Sequence, residues 1–418
     1  MRDLLPTEAE RQLGLSRAVL ESFDRFGYEP VSVPPFEYAE VLEQEMGTLD
    51  PTQVLRFVEP ETGEVVALRP DMTPQVARLI AMRLADAPPP VRLCYEGAVV
   101  RRRSERARRD RQIQQAGFEL VGLEGAEGDL EVLSVASSAV RAAGLGEFTL
   151  DLGHAMISGS LVALAKGPAQ ADIVAALTAK DGSDARRAAE RAGLGGRVLE
   201  ALSELPGLYG GNEVWARAER LLQGTPAEGP ARDLRALYEA VLGAGLAPNL
   251  VVDLGETWNF AYYTGMMFQV LADGPGEPVG SGGRYDRLFD RFGSPRPAAG
   301  FAVDLGNLAW ALERAGAARP SRVRVLVSSD GTERGQSDEL LSGLRRRGVA
   351  CARSPNADAE AYARAWRYSH RVRVSASGVT AIEIETGQEE RFSIGSMNEL
   401  GASVASFVER SFKTREVR

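Results

Sequence analysis

The sequence predicts an α+β fold, in which helices flank an antiparallel sheet, a helical insertion interrupts the sheet domain and a small α/β domain follows. Strand patterns bounded by Gly and Pro recur over the first 160 residues and return near residue 249. Between them the chain is rich in Ala, Leu, Arg and Glu with helical spacing. Because 418 residues exceed one ordinary core, we expect a core domain over 1–316, with its insertion at 166–244, and an α/β domain over 321–418.

The first 70 residues predict a helix and a β-hairpin. Apolar residues spaced for one helical face occupy residues 7–26, and Gly27 ends the helix. Residues 28–38, YEPVSVPPFEY, predict a strand that two prolines break. Residues 54–60 and 64–70 have strand patterns separated by a Glu-Thr-Gly turn, which is typical of a hairpin.

A helix over residues 71–82 and two strands, VRLCYEGAVV and QIQQAGFELVG, are predicted next. Seven arginines occupy the eleven positions 101–111 between these strands. Such a stretch can bind nucleic acid, bind a small phosphate compound or form a solvated loop. Its place in a hairpin makes general nucleic-acid binding the weakest of the three.

Composition excludes several classes of protein. The chain has 44% hydrophobic and 26% charged residues and a net charge of −9, which argues against extensive nucleic-acid coating. No window reaches the roughly 18 apolar residues of a membrane span, and the N-terminus lacks an apolar signal core, so we expect a cytoplasmic protein. Two cysteines, Cys94 and Cys351, and two histidines, His154 and His370, predict neither a disulfide framework nor a multi-histidine metal site.

Four polar residues near the predicted sheet are candidates for a binding site. Asp71 and Thr73 open a helix, where they are either ordinary caps or, for Asp71, the acceptor of a ligand's ammonium group. Gln115 and Glu119 are an even number of positions apart and therefore lie on one face of a strand. That face is either solvent or a polar pocket, because a Glu in an apolar core is costly unless paired.

Other motifs have structural interpretations. Tyr262 and Tyr263 fit strand packing, with the two rings on opposite faces. The glycine-rich residues 274–286 do not fit a dinucleotide fingerprint and predict a hairpin turn before a strand that something approaches closely. His154 is interpreted as a helix-start or core histidine.

Taken in order, eight motifs resemble histidyl-tRNA synthetase and its paralogues. The resemblance covers about the first 315 residues, and the C-terminal segment resembles the anticodon-binding domain of that family more faintly. It implies a class II synthetase-like antiparallel sheet of six to seven strands. The motifs are RDLLP, GYEPVSVPPFEY, LRPDMT, GAVVRRRSE, QQAGFE, YYTGMMF, SGGRYDRL and GFAVDLGNL.

The residues that depart from the family's pattern are those that use ATP. Trp258 and Ala261 stand where the synthetases have Arg and Asp in Arg-Gly-x-Asp-Tyr-Tyr, and Arg103 stands where the second motif has Glu. Asn307 replaces the arginine that ends the third motif. Because losing one preorganised donor at developing charge costs a rate factor of roughly 10² to 10³, we expect no adenylate formation.

The positions that surround histidine in the family are largely retained. By the resemblance, Asp71 receives the α-amino group, Thr73 follows at the family spacing, and Gln115 and Glu119 lie near the amino and imidazole groups. Two tyrosines flank the ring, and one arginine contacts phosphate or carboxylate. The expected histidine-binding set is Asp71, Thr73, Arg101, Gln115, Glu119, Tyr263 and Tyr285.

This chain keeps the residues of the histidine pocket but lacks those that use ATP. In this respect it resembles one paralogous family, the regulatory subunits of ATP phosphoribosyltransferase. LRPDMTPQVAR and LDLGHAMISGSLVAL also resemble it. That resemblance implies a non-catalytic protein that requires no cofactor, binds a short-form catalytic subunit and takes L-histidine as feedback effector. It further implies a homodimer, through the first motif at residues 27–38, and neither nucleic-acid nor membrane binding.

Two alternatives remain open at the level of sequence. A divergent histidyl-tRNA synthetase fits the C-terminal domain, and Trp258 and Asn307 stand against it. Another synthetase paralogue would act on a different amino acid or bind RNA, and Gln115 and Glu119 would then need a different ligand.

Overall fold

The computed structural model describes residues 3–43, 54–101, 111–257, 263–317, 323–329, 333–355, 359–393 and 396–416. The chain divides into two compact units, Met1–Ala318 and Arg319–Arg418. In the described ranges no helix combines the length and the apolar character that crossing a membrane requires.

Among the described residues of the first unit, six α-helices lie outside the insertion. The first has Pro at its start and buries Leu15, Val19 and Phe23, which follow one another at intervals of four residues. Gly27, at φ +81°, follows its end in the left-handed conformation that glycine adopts readily. The six helices are α1 (Pro6–Arg25), α2 (Ala39–Glu43), α3 (Thr73–Arg83), α4 (Gly125–Ala142), α5 (Ala155–Val162) and α11 (Leu305–Arg314).

A sheet of nine described strands forms the centre of this unit, in the order β1-β5-β6-β12-β11-β10-β7-β9-β8. The six strands from β5 to β7 in that order pair antiparallel, as expected, whereas β1–β5 and β7–β9 are parallel. The strands are β1 (Glu29–Pro30), β5 (Val91–Val100), β6 (Gln112–Val121), β7 (Thr149–His154), β8 (Tyr209–Gly210), β9 (Asn249–Asp253), β10 (Met266–Leu271), β11 (Gly280–Arg284) and β12 (Ala298–Asp304).

The strand count exceeds the six to seven that the resemblance implied. Two of the additional strands, β1 and β8, have two residues each. The parallel pair β7–β9 arises because the helical insertion connects these strands, and a long helical crossover returns the chain in the same direction.

The insertion is helical, as its composition predicts. Its helices bury Ala and Leu side chains against one another, with Trp215 and Tyr238 as an edge-to-face aromatic pair at 5.6 Å. They are α6 (Ala169–Thr178), α7 (Gly182–Arg191), α8 (Gly196–Glu204), α9 (Trp215–Leu222) and α10 (Glu228–Gly243).

A separate sheet has three described strands in the order β2-β4-β3, with β2 (Phe36–Tyr38), β3 (Arg56–Val58) and β4 (Val65–Leu68). The predicted hairpin is confirmed, since β3 and β4 pair antiparallel. The predicted break at the two prolines is also confirmed, because β1 and β2 belong to different sheets.

The two faces of the central sheet bury different cores. On one face Phe118 packs against Phe23 and Tyr28, with ring centroids 5.0 and 4.8 Å apart, and α4 and α11 complete this core. On the other face, α3 packs Val76 and Ile80 over the strands. This α3 face also holds the polar residues of the candidate site.

The second unit is a small α/β sheet domain, as predicted. Its sheet order is β14-β13-β15-β16-β17, parallel across the first three strands and antiparallel thereafter. Helices α12 and α14 bury Leu340, Leu344, Val404 and Val408 in its core. The elements are β13 (Arg324–Ser329), α12 (Arg334–Arg346), β14 (Ala350–Arg353), α13 (Ala359–Ala365), β15 (His370–Ser375), β16 (Gly378–Glu383), β17 (Glu389–Phe392) and α14 (Met397–Glu416).

Candidate functional site

Glu119 lies on β6 and is 2% exposed. Its Oε1 accepts a 2.9 Å hydrogen bond from the Tyr95 hydroxyl, and its buried Oε2 has no partner within the described residues. Burial raises the pKa of Glu119 well above its usual range, Asp71 raises it further, and the hydroxyls of Thr73 and Tyr95 lower it only in part. Of the two alternatives for this face, solvent is therefore wrong for Glu119.

Tyr95, on β5, is a site residue that the sequence interpretation missed. It pairs with Gly117 across the strands, and a β-carbon at Gly117 would lie 2.6 Å from the Tyr95 hydroxyl oxygen. Glycine at this position therefore lets the phenol lie over β6 and reach Glu119. A signal was available, because Tyr95 shares the inward face of its strand with Leu93 and Val99.

Asp71 and Thr73 lie at the start of α3. Asp71 Oδ1 accepts hydrogen bonds from the backbone N–H groups of Met72 at 2.7 Å and Thr73 at 3.4 Å. The N-cap position of α3 is Met72, which has no side-chain cap, so Asp71 orders the residues before the first turn and the capping interpretation is wrong in its strict sense. The Thr73 hydroxyl lies 3.5 Å from that of Tyr95. These contacts leave Asp71 Oδ2 without a hydrogen bond in the described part of the chain.

Tyr263 and Tyr285 form the aromatic wall of the site. Their ring centroids are 6.5 Å apart at an interplanar angle of 45°, and both residues are buried. Burial raises the pKa of Tyr263, with Asp71 and Glu119 adding to the effect and Arg101 opposing it. Asp71, Glu119 and Arg101 therefore all lie near enough to the Tyr263 hydroxyl to affect its pKa.

The glycine-rich strand β11 makes room for this wall, as the sequence predicted. A β-carbon at Gly283 would lie 2.6 Å from the Tyr263 ring, and one at Gly282 would lie 2.3 Å from the Gly300 carbonyl oxygen. On β12, a β-carbon at Gly300 would lie 2.1 Å from Glu119 Oε2 and 2.5 Å from the Tyr285 hydroxyl oxygen. These two oxygens are therefore neighbours in a space that exists because Gly300 has no side chain.

Arg101 follows β5 and is half-buried, and its Nε donates to the Pro70 carbonyl oxygen at 2.7 Å. Its backbone N–H donates to Arg111 at 2.8 Å, which keeps the hairpin paired at this point. The rest of the arginine-rich stretch, residues 102–110, lies outside the described residues, and this includes Arg103.

Gln115 shares the inward face of β6 with Glu119 but lies four residues away, about 13 Å along the strand. It is 7% exposed, and its Oε1 is buried without a partner among the described residues. In the described part of the chain, no hydrogen bond joins Gln115 to the other six predicted residues. Gln115 pairs with Gly97, where a β-carbon would lie 3.5 Å from Met72 Sδ, so Gln115 lies on the α3 side of the sheet towards the residue that follows Asp71.

Asn307 lies in the first turn of α11 and is 2% exposed. Its backbone N–H donates to Asp304 Oδ1 at 3.0 Å and its side chain donates to the Pro278 carbonyl oxygen at 2.9 Å. The side chain is thus directed into the protein. Trp258, Ala261 and Tyr262, on which other sequence predictions rest, lie outside the described residues.

The side chain of His154 has a structural role. His154 Nδ1 accepts a hydrogen bond from the Met156 N–H at 3.2 Å and caps α5, as the helix-start interpretation proposed. Burial lowers the pKa of His154 to about 4. Within the described residues no group of His, Cys, Asp and Glu could hold a metal ion.

The grouped residues suit a small polar ligand. Asp71 offers a carboxylate oxygen to a cation, Glu119 offers a buried oxygen to an N–H group, and two tyrosine rings offer faces to a flat ring. An amino acid with a nitrogen heterocycle as side chain meets all three requirements.

Comparisons with known proteins agree with this description. The model of the histidyl-tRNA synthetase family matches residues 1–308. A Syntrophotalea carbinolica protein named ATP phosphoribosyltransferase regulatory subunit is 34% identical, over 94% of this chain and 94% of that protein. One of the same name from Anaeromyxobacter sp. (strain Fw109-5) is 42% identical, over 78% of this chain and 95% of its own length.

Solved structures are similar over most of the chain. The crystal structure of an ATP phosphoribosyltransferase regulatory subunit/histidyl-tRNA synthetase from Bacillus halodurans C has a TM-score of 0.78 and 27% identity, covering 90% of this chain and 97% of that chain. Histidyl-tRNA synthetase from Nostoc sp. PCC 7120 has a TM-score of 0.79, covering 98% and 97%. At 18% identity the latter shows the fold alone.

Proposed function

Because the chain belongs to the histidyl-tRNA synthetase family and, within it, to the ATP phosphoribosyltransferase regulatory subunits, we propose that it regulates such an enzyme without catalysing a reaction itself. In this proposal it assembles in the cytoplasm with a short-form catalytic subunit. L-Histidine, the end product, binds the chain and inhibits the complex.

The observation that carries the proposal is the buried Glu119 with its unpartnered Oε2 beside Tyr285. A buried acceptor without a partner costs free energy, and a ligand N–H would remove that cost. Asp71 supplies the second anchor, for the α-ammonium group. For feedback, histidine must bind the inhibited state of the complex more tightly than the active state.

Asn307 supports the non-catalytic part of the proposal. In the family an arginine at this position contacts ATP phosphate, whereas here the side chain is neutral, buried and bonded to the Pro278 carbonyl oxygen. Transfer of an adenylyl group depends on fixed positive charge at the developing negative charge. We therefore propose that the chain binds histidine and does not activate it.

The test titrates the purified chain with histidine and with ATP, and then assays the complex with a short-form catalytic subunit. We expect histidine binding, no histidine-dependent exchange of pyrophosphate into ATP, and inhibition of the complex by histidine. Asp71→Ala and Glu119→Ala should abolish binding and relieve inhibition, whereas Glu147→Ala, at an exposed carboxylate, should change neither.

The alternative function is a divergent histidyl-tRNA synthetase, which the C-terminal α/β unit favours. Measurable pyrophosphate exchange would establish it and exclude the regulatory proposal. A chain that binds another amino acid in preference to histidine would instead support a different synthetase paralogue. Calorimetry across the amino acids separates these results.

We also propose a homodimer, with the small sheet as part of its interface. Phe36 and Phe57 pair edge-to-face at 6.0 Å and remain 42% and 43% exposed, and Val58 and Val65 extend this apolar surface. Exposed apolar clusters of this kind mark interaction sites. Phe57→Glu should yield a monomer by sedimentation, and an unchanged dimer would exclude this interface.

A further inference from the structure

Glu119 is a buried acid without a cationic partner. Among the described residues no Lys, Arg or His side chain forms an ion pair or hydrogen bond with it, and the groups near it are acidic or neutral. They are Asp71 and Thr73 at the start of α3, Tyr95 on β5, Tyr263 before β10 and Tyr285 after β11. Arg101 acts on this cluster through Tyr263. An isolated carboxylate in such surroundings is costly, so burial raises the pKa of Glu119 and favours its protonated form.

Tyr95 determines which oxygen of Glu119 remains for a ligand. Its hydroxyl donates to Oε1 at 2.9 Å, and Thr73 lies 3.5 Å from the same hydroxyl. Tyr95 is itself fixed, since it is 2% exposed and lies over Gly117. Oε1 is therefore engaged, and Oε2, which lies where a β-carbon of Gly300 would be, is the oxygen left without a partner among the described residues.

We propose that Tyr95 is a positioning residue that leaves Glu119 Oε2 to share a single proton with the side-chain ring of a bound imidazole-bearing amino acid. The proposal rests on the proposed histidine binding and adds its proton chemistry. A neutral ring accepts the proton from Oε2 through its unprotonated nitrogen. The products are an imidazolium and a carboxylate in contact, and no proton is exchanged with solvent.

This arrangement predicts two limits to binding. Below the ring's own pKa, about 6.5, the free ligand already carries a proton on its imidazole. Together with the proton on Glu119 the complex would then hold two protons where the pair needs one, so binding weakens. At high pH Glu119 loses its proton before the ligand binds. The pair of a carboxylate and a neutral imidazole then lacks the proton that it would share, so binding weakens. Affinity should therefore be highest between these limits. On the alkaline side Glu119 sets a limit of its own, in addition to the loss of the ligand's ammonium proton, which is the same in every variant.

Tyr95→Phe tests the proposal through the pH profile. Without the phenol the ionised form of Glu119 loses a hydrogen bond, so its pKa rises further. Hydrogen bonds to charged groups correspond to about one to two pKa units. Affinity for L-histidine at the plateau should fall about 10- to 100-fold, the alkaline limit should move up by about one to two pH units, and the affinities should converge at high pH.

The experiment measures L-histidine binding by calorimetry from pH 5.5 to 9.5. Tyr238→Phe is the matched control, because Tyr238 is a buried tyrosine of the insertion that packs against Trp215, and its profile should equal that of the parent. Glu119→Gln carries the test even if Tyr95→Phe does not fold, since it keeps the side-chain size and must abolish the alkaline limit set by Glu119. The imidazole and ammonium groups of the free ligand titrate in the same way in every experiment, so their effect cancels when the pH profiles of two variants are compared.

Each outcome decides the proposal. A uniform loss of affinity at every pH in Tyr95→Phe, or no change at all, would overturn the role of Tyr95 and leave the proposed function intact. An unchanged alkaline limit in Glu119→Gln would overturn the shared proton. If the parent protein binds no histidine at any pH, the proposed histidine sensing fails and this proposal fails with it.

Discussion

Glu119 Oε2 occupies the space that a side chain at Gly300 would need, since a β-carbon there would lie 2.1 Å from this oxygen. The two residues face each other across β6 and β12 in direct register. The position of Oε2, the oxygen proposed to meet a ligand ring, thus depends on the absence of a side chain on the neighbouring strand.

Gly300→Ala should displace Glu119 and Tyr285 and close the site. Overpacking costs about 1–3 kcal/mol, and a similar loss in binding lowers affinity about tenfold or more. Calorimetry with histidine and thermal unfolding measure both effects. Gly14→Ala is the control, because a β-carbon at Gly14 in α1 meets no atom within 4 Å, and it should leave binding unchanged. Equal affinity in Gly300→Ala would remove this glycine from the site.

Asp71→Asn should weaken histidine binding by about 10- to 100-fold, because a hydrogen bond to a charged group contributes about 1.5–3 kcal/mol. Asparagine keeps an oxygen that can accept the hydrogen bonds now made to Asp71 Oδ1 by two backbone N–H groups. The first turn of α3 should therefore remain folded. Imidazolepropionate, which lacks the ammonium group, supplies the comparison. Its affinity should not fall in the variant, and an equal loss for both ligands would show that Asp71 does not bind the ammonium group.

Arg284→Met should destabilise the first unit. Arg284 is 6% exposed and pairs with Asp129 at 2.7 Å and Asp286 at 3.1 Å, tying the end of β11 to α4. Removing one partner of a buried pair costs about 3–5 kcal/mol, because the other charge stays buried alone. Denaturant unfolding measures the loss. The double variant with Asp129→Asn should lose less than Arg284→Met alone, and a larger, additive loss would contradict this account.

Asp151 should make stability depend on pH. Burial raises its pKa to about 7, and Asp253 and Glu256 raise it against the opposing effect of Lys180. Below about pH 4 the folded and unfolded states both hold the proton. Between about 4 and 7 the folded state keeps a proton that the unfolded state has released, so stability falls as pH rises through this window, and the full penalty is present above 7.

Asp151→Asn should therefore gain about 1–2 kcal/mol relative to the parent between pH 5 and pH 8, after allowance for partial exposure. Urea unfolding at the two pH values measures the change. Asp273→Asn, at an exposed carboxylate, should give the same difference from the parent at both pH values. A gain for Asp151→Asn that does not vary with pH would exclude titration of this group as the cause.

Local sequence patterns predicted most elements. The 3.6-residue spacing in α1, the turn between β3 and β4 and the two strands of the β5–β6 hairpin were identified correctly, because each depends on residues close in sequence. The parallel pairs β1–β5 and β7–β9 were not predicted. Pairing of strands that are far apart in sequence leaves no local pattern. The residues of a buried strand also do not show whether it pairs parallel or antiparallel.

The candidate site was predicted in part. Alternation placed Gln115 and Glu119 on one face of β6, but it did not show that both side chains are buried. Tyr95 was missed because an aromatic residue in a strand is usually interpreted as packing. Its polar end gained a role only when Gly117 allowed it to reach Glu119.

The sequence by itself determined the α+β class, the helical insertion, the family and most of the residue types at the site. Only the tertiary structure decided that Glu119 is buried with one engaged oxygen and one that has no partner among the described residues, and that Gly300 leaves room for the latter. The physical reason is that a carboxylate's protonation and partners depend on atoms brought together by non-local strand pairing. Those atoms come from β5, β6 and β12 and from the start of α3, and no single segment of the sequence contains them.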